Sequence, residues 1–539
     1  MQQRVANLKK EVLEMLRNGN CHPSSKMSMI DAIERLGIAY HFEEEISEVL
    51  EQIYGAQLET KDLHMVALRF RLLRQEGHNI SADNYVFIFT KKLFREKLFP
   101  SETVLHTTKR TLSSDVKGLL SLYEVGYLAK HGEAILDKAI TFCKNHLKAK
   151  LNHVEPEVAM QIAHALEIPL YRRVKRLEAR EYITIYERLE GRNDQLLELA
   201  KLDFNLVQAL HQEEIKNISS RTFIFVHFSL SSGSTILRWW KELGLTTRLT
   251  FARDRLVECY LWILAIYFEP SLSQARVMGT KVLGLASLLD DIYDSFGTLE
   301  ELEVFTEILR GWEAHPSEQL PECLNIYLIT LINAVKELEE ELAKDGHQYR
   351  AHFLRQEIAK AAMAYLEEAK WSNEGYVPPF EVHLGVILIS ALFQTITCGC
   401  FLGLGEIATS EAFDWLASFP KILKASTVIG RLMNDIASYE REKKQDHVAS
   451  SIECYMKEYG TTFEDARGKL QEMIEDGWKD INRESLEPTK LPMPLLMPSL
   501  NLARASVTFY RSEFDGYTDS SQAIKDHITL LFTQSIPIN

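Results

Sequence analysis

Three aspartates close an otherwise apolar run. Residues 281–294 read KVLGLASLLDDIYD, and on a helix Asp290 and Asp294, four apart, lie on one face one turn from each other. Oxygen donors at that pitch suit hard divalent cations, and Mg2+ in particular completes its octahedron with water and phosphate oxygens. The same spacing also fits a solvated helix end. The apolar lead-in sharpens the question, because unpaired carboxylates cost on the order of several kcal/mol each to bury and need either solvent or a cation.

A second oxygen-rich stripe lies in GRLMNDIASYEREKKQDH, residues 430–447, where Asn434, Ser438 and Glu442 recur every four positions. An exposed helix with pairs at that spacing would read the same way. Arg431 stands about one turn before Asn434, close enough to share an anion with metals on the stripe. FARDRLVECYLW places Arg253 37 residues and Arg255 35 residues ahead of Asp290. Their planar guanidinium groups suit bidentate phosphate recognition, while Asp254 and Glu258 offer a plain surface ion pair instead. Trp262 fits either a core position or a cation-stabilising wall. Tyr510, Asp515 and Tyr517 cluster around a glycine turn in SVTFYRSEFDGYTD, and by themselves they point to no function.

The elements that carry these residues are helical. Windows such as Leu119–Leu147 and Cys323–Gly346 repeat apolar residues at three and four spacing, and alternating patterns are almost absent, so the fold class is all-α. The 539 residues exceed one ordinary core. The net charge of −15 argues against a nucleic-acid partner. Seven scattered cysteines suit a reducing compartment, and the N-terminal helix-like start lacks signal or transit character, so a cytoplasmic location is expected. The charge-free stretch Leu384–Gly405 is long enough to span a bilayer, yet it carries polar residues and glycines and reads as a buried helix of a large bundle, with no transmembrane segment. TFIFVHFSL, residues 222–230, is β-prone and uncharged, and all seven tryptophans lie from 239 onward, which marks a boundary near 215–237.

Taken together, the order of RDR, DDIYD, NDIASYERE and FDGYTD resembles the plant terpene synthases, and specifically the sesquiterpene synthases. SSDVKGLLSLYEVGYLAKHGE, LLELAKLDFN, RWWKELGL and the final SIPIN extend the likeness over nearly the whole chain. The resemblance implies an N-terminal relic helical barrel domain at 1–220 without catalytic role, a probable insertion or linker at 221–236, and a C-terminal class I catalytic bundle at 237–539. It implies that Asp290, Asp291, Asp294, Asn434, Ser438 and Glu442 hold about three Mg2+ ions, with Mn2+ as a substitute, to ionise farnesyl diphosphate. Arg253, Arg431, Asp290, Asp294 and Asn434 would bind substrate. Arg253, Arg255, Trp262, Arg431, Tyr510 and Asp515 would serve the reaction, and Asp515 would sit near the lid of the cavity. The resemblance carries a monomer as the expected state.

Two stretches depart from the family pattern and are expected to be insertions outside the motifs: residues 84–112, long and basic, and residues 222–235. A chain-elongating prenyltransferase would need a second aspartate-rich motif where Asn434, Ser438 and Glu442 stand. The readings kept beside the first are a monoterpene synthase acting on geranyl diphosphate and a homologue impaired by its insertions and a truncated N-terminus.

Overall fold

The computed structural model describes residues 2–19, 21–56, 60, 62–82, 115–215, 236–312, 315–443, 449–511, 515–519 and 521–538. The expected insertions at 84–112 and 222–235 lie outside the described residues. Regular structure among the described residues is helical throughout, with no strand, as the three-and-four spacing leads one to expect. The chain divides into two compact units: residues 1–206 with 478–490 and 534–539, and residues 207–477 with 491–533.

In the first unit the sequence starts helices with recognisable signals. Pro23 opens the Pro23–Arg35 helix while His22 Nδ1 accepts the Ser24 N–H, and Asp62 accepts the His64 N–H at the start of Leu63–Gln75. Leu63, Val66, Leu119, Leu122, Cys143, Leu147 and Ile162 form one buried cluster beneath these helices. Charges inside this unit are paired: Glu178 lies 2.5 Å from Arg173 and 2.9 Å from Arg35. Burial alone would raise its carboxyl, but the two guanidiniums hold it down at about 2. The chain's last residues join this unit, where Asn205 pairs with both the N–H and the carbonyl of Ile536, each at 2.8 Å.

The second unit holds every residue singled out for chemistry. Its axis is the Ser273–Ser295 helix, buried along most of its length and packed on Phe393–Leu402. Close approach is possible because both helices present glycine where they meet: a Cβ on Gly399 would stand 2.8 Å from Val282, and one on Gly279 would stand 2.8 Å from Cys400. The Lys421–Glu442 helix meets Phe393 and Ser506 at Gly430, where a Cβ would fall 2.3 Å from the phenyl ring.

The apolar stretch around 384–405 is buried, but it is two helices rather than one. Phe380–Ser390 and Phe393–Leu402 are separated at Leu392, whose φ of 65° lies in the left-handed region. Within the 23 residues of Phe380–Leu402, 78% of the most apolar window is buried in protein. The stretch is thus buried in the bundle as its polar residues and glycines led us to expect, with a break at Leu392 that they did not signal.

A buried ionic cluster fixes the start of the axial helix. Glu214 accepts from Arg276 Nε (2.9 Å) and Nη2 (2.6 Å), from Tyr260 Oη (2.6 Å) and from Ser273 Oγ (2.6 Å). Arg276 is fully buried. Glu214→Ala is expected to destabilise the protein by about 3–5 kcal/mol, because it strands a buried guanidinium. A denaturant midpoint giving a loss below about 1 kcal/mol, the worth of a surface pair, would contradict this.

Candidate active site

Both carboxylate stripes end at helix C-termini. Asp290 and Asp294 occupy the last turns of Ser273–Ser295, and Glu442 is the final residue of Lys421–Glu442. The helix dipole is negative there, so these acids sit where a helix alone would disfavour them and where a cation is favoured. Crowding by protein raises the Asp290 carboxyl to about 6, with Arg253 opposing and the Asp291 charge adding to the rise. Asp294 is also raised, by its surroundings first and then by Asp290 and Glu368, although its exposure to water screens part of the effect. Burial raises Glu442 as well.

Glu368, from the Arg350–Glu374 helix, joins this group without any signal in the sequence pattern. It is 8% exposed, its Oε1 has no hydrogen-bond partner, and its Oε2 lies 3.9 Å from Arg431. Its charge raises Asp294, and the charges of Asp290 and Asp435 raise it in turn. Tyr365, one turn earlier, is buried beside Asp290, Asp294 and Glu368 and stacks on Tyr293 at 5.5 Å.

Asp291 is engaged by Arg253 in the metal-free protein. Oδ1 accepts from Arg253 Nε at 2.8 Å and Nη2 at 2.5 Å, and Oδ2 accepts the Arg253 backbone N–H at 2.9 Å. On the helix Asp291 is turned about 100° from Asp290, which brings its carboxylate to Arg253. Arg253 also approaches Asp290 at 3.7 Å, which puts one guanidinium across the motif. Arg431 pairs with Asp435 at 2.9 Å, and the Asp435 Oδ2 accepts the Ser451 N–H, so the arginine is braced from behind. Arg255 lies 3.4 Å from Glu258, the partner the sequence offered but in a largely buried setting, and it also donates to the Thr518 carbonyl.

Ser438 is buried beside Glu442 on the same helix, with its hydroxyl donating to the Asn434 carbonyl at 3.0 Å. Asn434 lies one turn before it and is half-buried. Trp262 is buried and stacks on Phe509 at 4.4 Å with planes 7° apart, with Tyr510 at 5.9 Å and Phe393 at 6.4 Å. Tyr510 feels the charges of Asp515, Arg431, Asp290 and Arg253, so the aromatic cluster abuts the charged one. The Tyr517 hydroxyl meets Ser287 Oγ at 2.7 Å, and Asp515 pairs with Arg441 at 3.0 Å.

These residues fit a divalent cation on the chemistry of the donors. Burial raises Asp294 and Glu368, the charge of Asp290 raises both further, Glu368 adds to the rise at Asp294, the Glu368 Oε1 lacks a partner, and all the donors are hard oxygens.

Comparison with known proteins agrees with this architecture. The sequence matches the terpene synthase N-terminal domain over residues 1–166 and the metal binding domain of the terpene synthase family over residues 241–480. It is 44% identical to alpha-humulene synthase of Zingiber zerumbet over 100% of this chain and 91% of that protein. It is 41% identical to (-)-germacrene D synthase of Vitis vinifera with the same coverage, 100% and 91%. Among solved structures, isoprene synthase from grey poplar, in complex with three Mg2+ ions and dimethylallyl-S-thiolodiphosphate, superposes with a TM-score of 0.88 at 30% identity, covering 99% of this chain and 97% of that one. The chain belongs to the terpene synthase family. It is a carbon–oxygen lyase acting on phosphates, and its second unit carries the family's metal-binding domain.

Proposed function

We propose that this chain is a sesquiterpene synthase that ionises farnesyl diphosphate with Mg2+ and cyclises the resulting cation, releasing diphosphate. The observation that carries this reading is the adjacency of two like-charged oxygen clusters, three arginines and a buried aromatic cluster in one unit. Relatives named for sesquiterpenes, valencene synthase of Vitis vinifera among them at 43% identity, support the C15 substrate.

Asp290, Asp294 and Glu368 on one side, and Asn434, Ser438 and Glu442 on the other, are the residues that would hold the metal. Bound there, Mg2+ supplies Lewis-acid stabilisation of the departing diphosphate. Arg253 and Arg431 add fixed positive charge at the same place, each oriented by a buried aspartate, so little reorganisation is needed as the allylic C–O bond breaks. Asp291 serves by holding Arg253, outside the ligand set. Trp262, Phe509 and Tyr510 exclude water and offer ring faces to the carbocation. In this reading residues 237–539 form the catalytic domain, 221–236 the linker, and 1–220 a non-catalytic domain.

Competition kinetics test the substrate: kcat/KM for farnesyl diphosphate is expected to exceed that for geranyl diphosphate, and a preference for the shorter substrate contradicts the reading. A second test reads the metal without turnover. Saturating Mg2+ raises Tm by binding the folded state. Asp290, with its carboxyl raised to about 6, holds a proton below that pH, and the metal must displace it. The Mg2+-induced shift in Tm should therefore shrink between about pH 7.5 and pH 5.5, and a constant shift would contradict the assignment.

A further inference from the structure

We infer that Arg441 is a positioning residue that ties the 515–519 loop to the helix bearing Asn434, Ser438 and Glu442; this rests on the sesquiterpene synthase reading. Arg441 Nη2 stands 3.4 Å from Glu442 Oε1 and 3.0 Å from Asp515 Oδ2, so one guanidinium bridges a metal-stripe carboxylate and the loop. Asp515 is 2% exposed. Its Oδ1 accepts the N–H groups of Tyr517 at 3.0 Å and Thr518 at 2.9 Å, so the loop folds around this carboxylate. Arg441 is the charge that balances it.

What the loop carries gives the pair its consequence. The Tyr517 hydroxyl shares a hydrogen bond with Ser287 at 2.7 Å, one turn before Asp290 and Asp291 on the axial helix, and lies 3.4 Å from Cys259 Sγ. Its ring meets Phe509 edge-on at 6.3 Å, and Phe509 stacks on Trp262. Arg255, from the RDR segment, donates to the Thr518 carbonyl. The loop thus touches the elements that bear all three motifs, and Arg441 is its link to the third. At position 441, in the last turn of its helix, a cation is also favoured by the dipole. Without Arg441 the buried Asp515 loses its countercharge, the loop loosens, and the Tyr517 ring moves against the aromatic cluster that faces the cation. The effect falls on what the cation becomes more than on substrate capture.

R441M, which keeps an apolar stem but not the charge, and R441K, which keeps charge, test this beside D515N and R441M/D515N. Amide exchange of a peptide covering residues 515–519 in metal-free protein should be about tenfold faster in R441M and restored in R441K. With farnesyl diphosphate and Mg2+, kcat in R441M should fall by roughly tenfold or more while KM stays within about twofold, and products should shift toward acyclic ones. The double variant should be no slower than D515N, since both lesions break one contact. Wild-type exchange and product mixture in R441M overturn the inference, as does an R441K that fails to restore either. If the wild-type chain makes no terpene from farnesyl diphosphate, the sesquiterpene reading fails, while the exchange experiment, which needs no substrate, still decides the role of Arg441.

Discussion

Asp290→Ala and Glu442→Ala each lower diphosphate release by about a thousandfold or more, with the helical circular dichroism unchanged. The size follows from the chemistry, since losing metal-centred stabilisation of the leaving group removes several kcal/mol from the transition state, and each 1.36 kcal/mol is about tenfold in rate. The fold survives because neither side chain belongs to the apolar core. Asp290 keeps 33% of its side chain exposed and Glu442 27%, and both carboxyls are raised by their surroundings, so as ionised groups they strain the metal-free protein. Asp291→Asn should behave differently. It frees Arg253 from its clamp, so KM for the diphosphate substrate rises while the Mg2+ concentration for half-maximal rate stays close to wild type. Turnover by Asp290→Ala within a fewfold of wild type contradicts the metal assignment.

The second large effect is at Trp262. The sequence left this residue between core and reaction wall, and the structure gives it both kinds of neighbour. It is 5% exposed and stacked face to face on Phe509, so truncation opens a cavity and costs about 3–5 kcal/mol. It also lies 5.9 Å from Tyr510, a ring that feels the charges of the acidic and arginine groups, so the same truncation removes an aromatic face and admits water. Products of Trp262→Ala should therefore move toward acyclic or singly cyclised hydrocarbons and alcohols in the enzyme that remains folded. Trp262→Phe, which keeps a ring, should recover most of the wild-type mixture. Melting temperature and product distribution measured on one preparation decide the matter: a large fall in Tm with an unchanged mixture assigns Trp262 to the core alone.

The all-helical architecture was legible because amphipathic spacing repeats through nearly every described segment, and the two oxygen stripes were legible because four-residue spacing puts donors on one face. The break at Leu392 was not. Ser390, Ala391 and Leu392 include neither glycine nor proline, and the left-handed turn there is imposed by packing on both sides. Glu368 and Tyr365 were equally hidden, since an acid in AYLEEAKW on an amphipathic helix looks the same whether it faces water or a metal cluster. Arg441 lies inside the recognised motif but off its stripe, and only the fold brings Asp515, 74 positions later, within 3.0 Å of it. The pairing of Asp291 with Arg253 was not readable from spacing, because 38 positions separate the two residues and only the fold brings them together.

The central claim is that this site ionises a C15 diphosphate with metal assistance and guides the cation to a hydrocarbon. Incubating the purified chain with farnesyl diphosphate, with Mg2+ or with a chelator, and analysing the extract by gas chromatography with parallel diphosphate release tests it most directly. The expected result is a cyclic sesquiterpene released in step with diphosphate only when Mg2+ is present; intact substrate under both conditions, or equal product with the chelator, would contradict it.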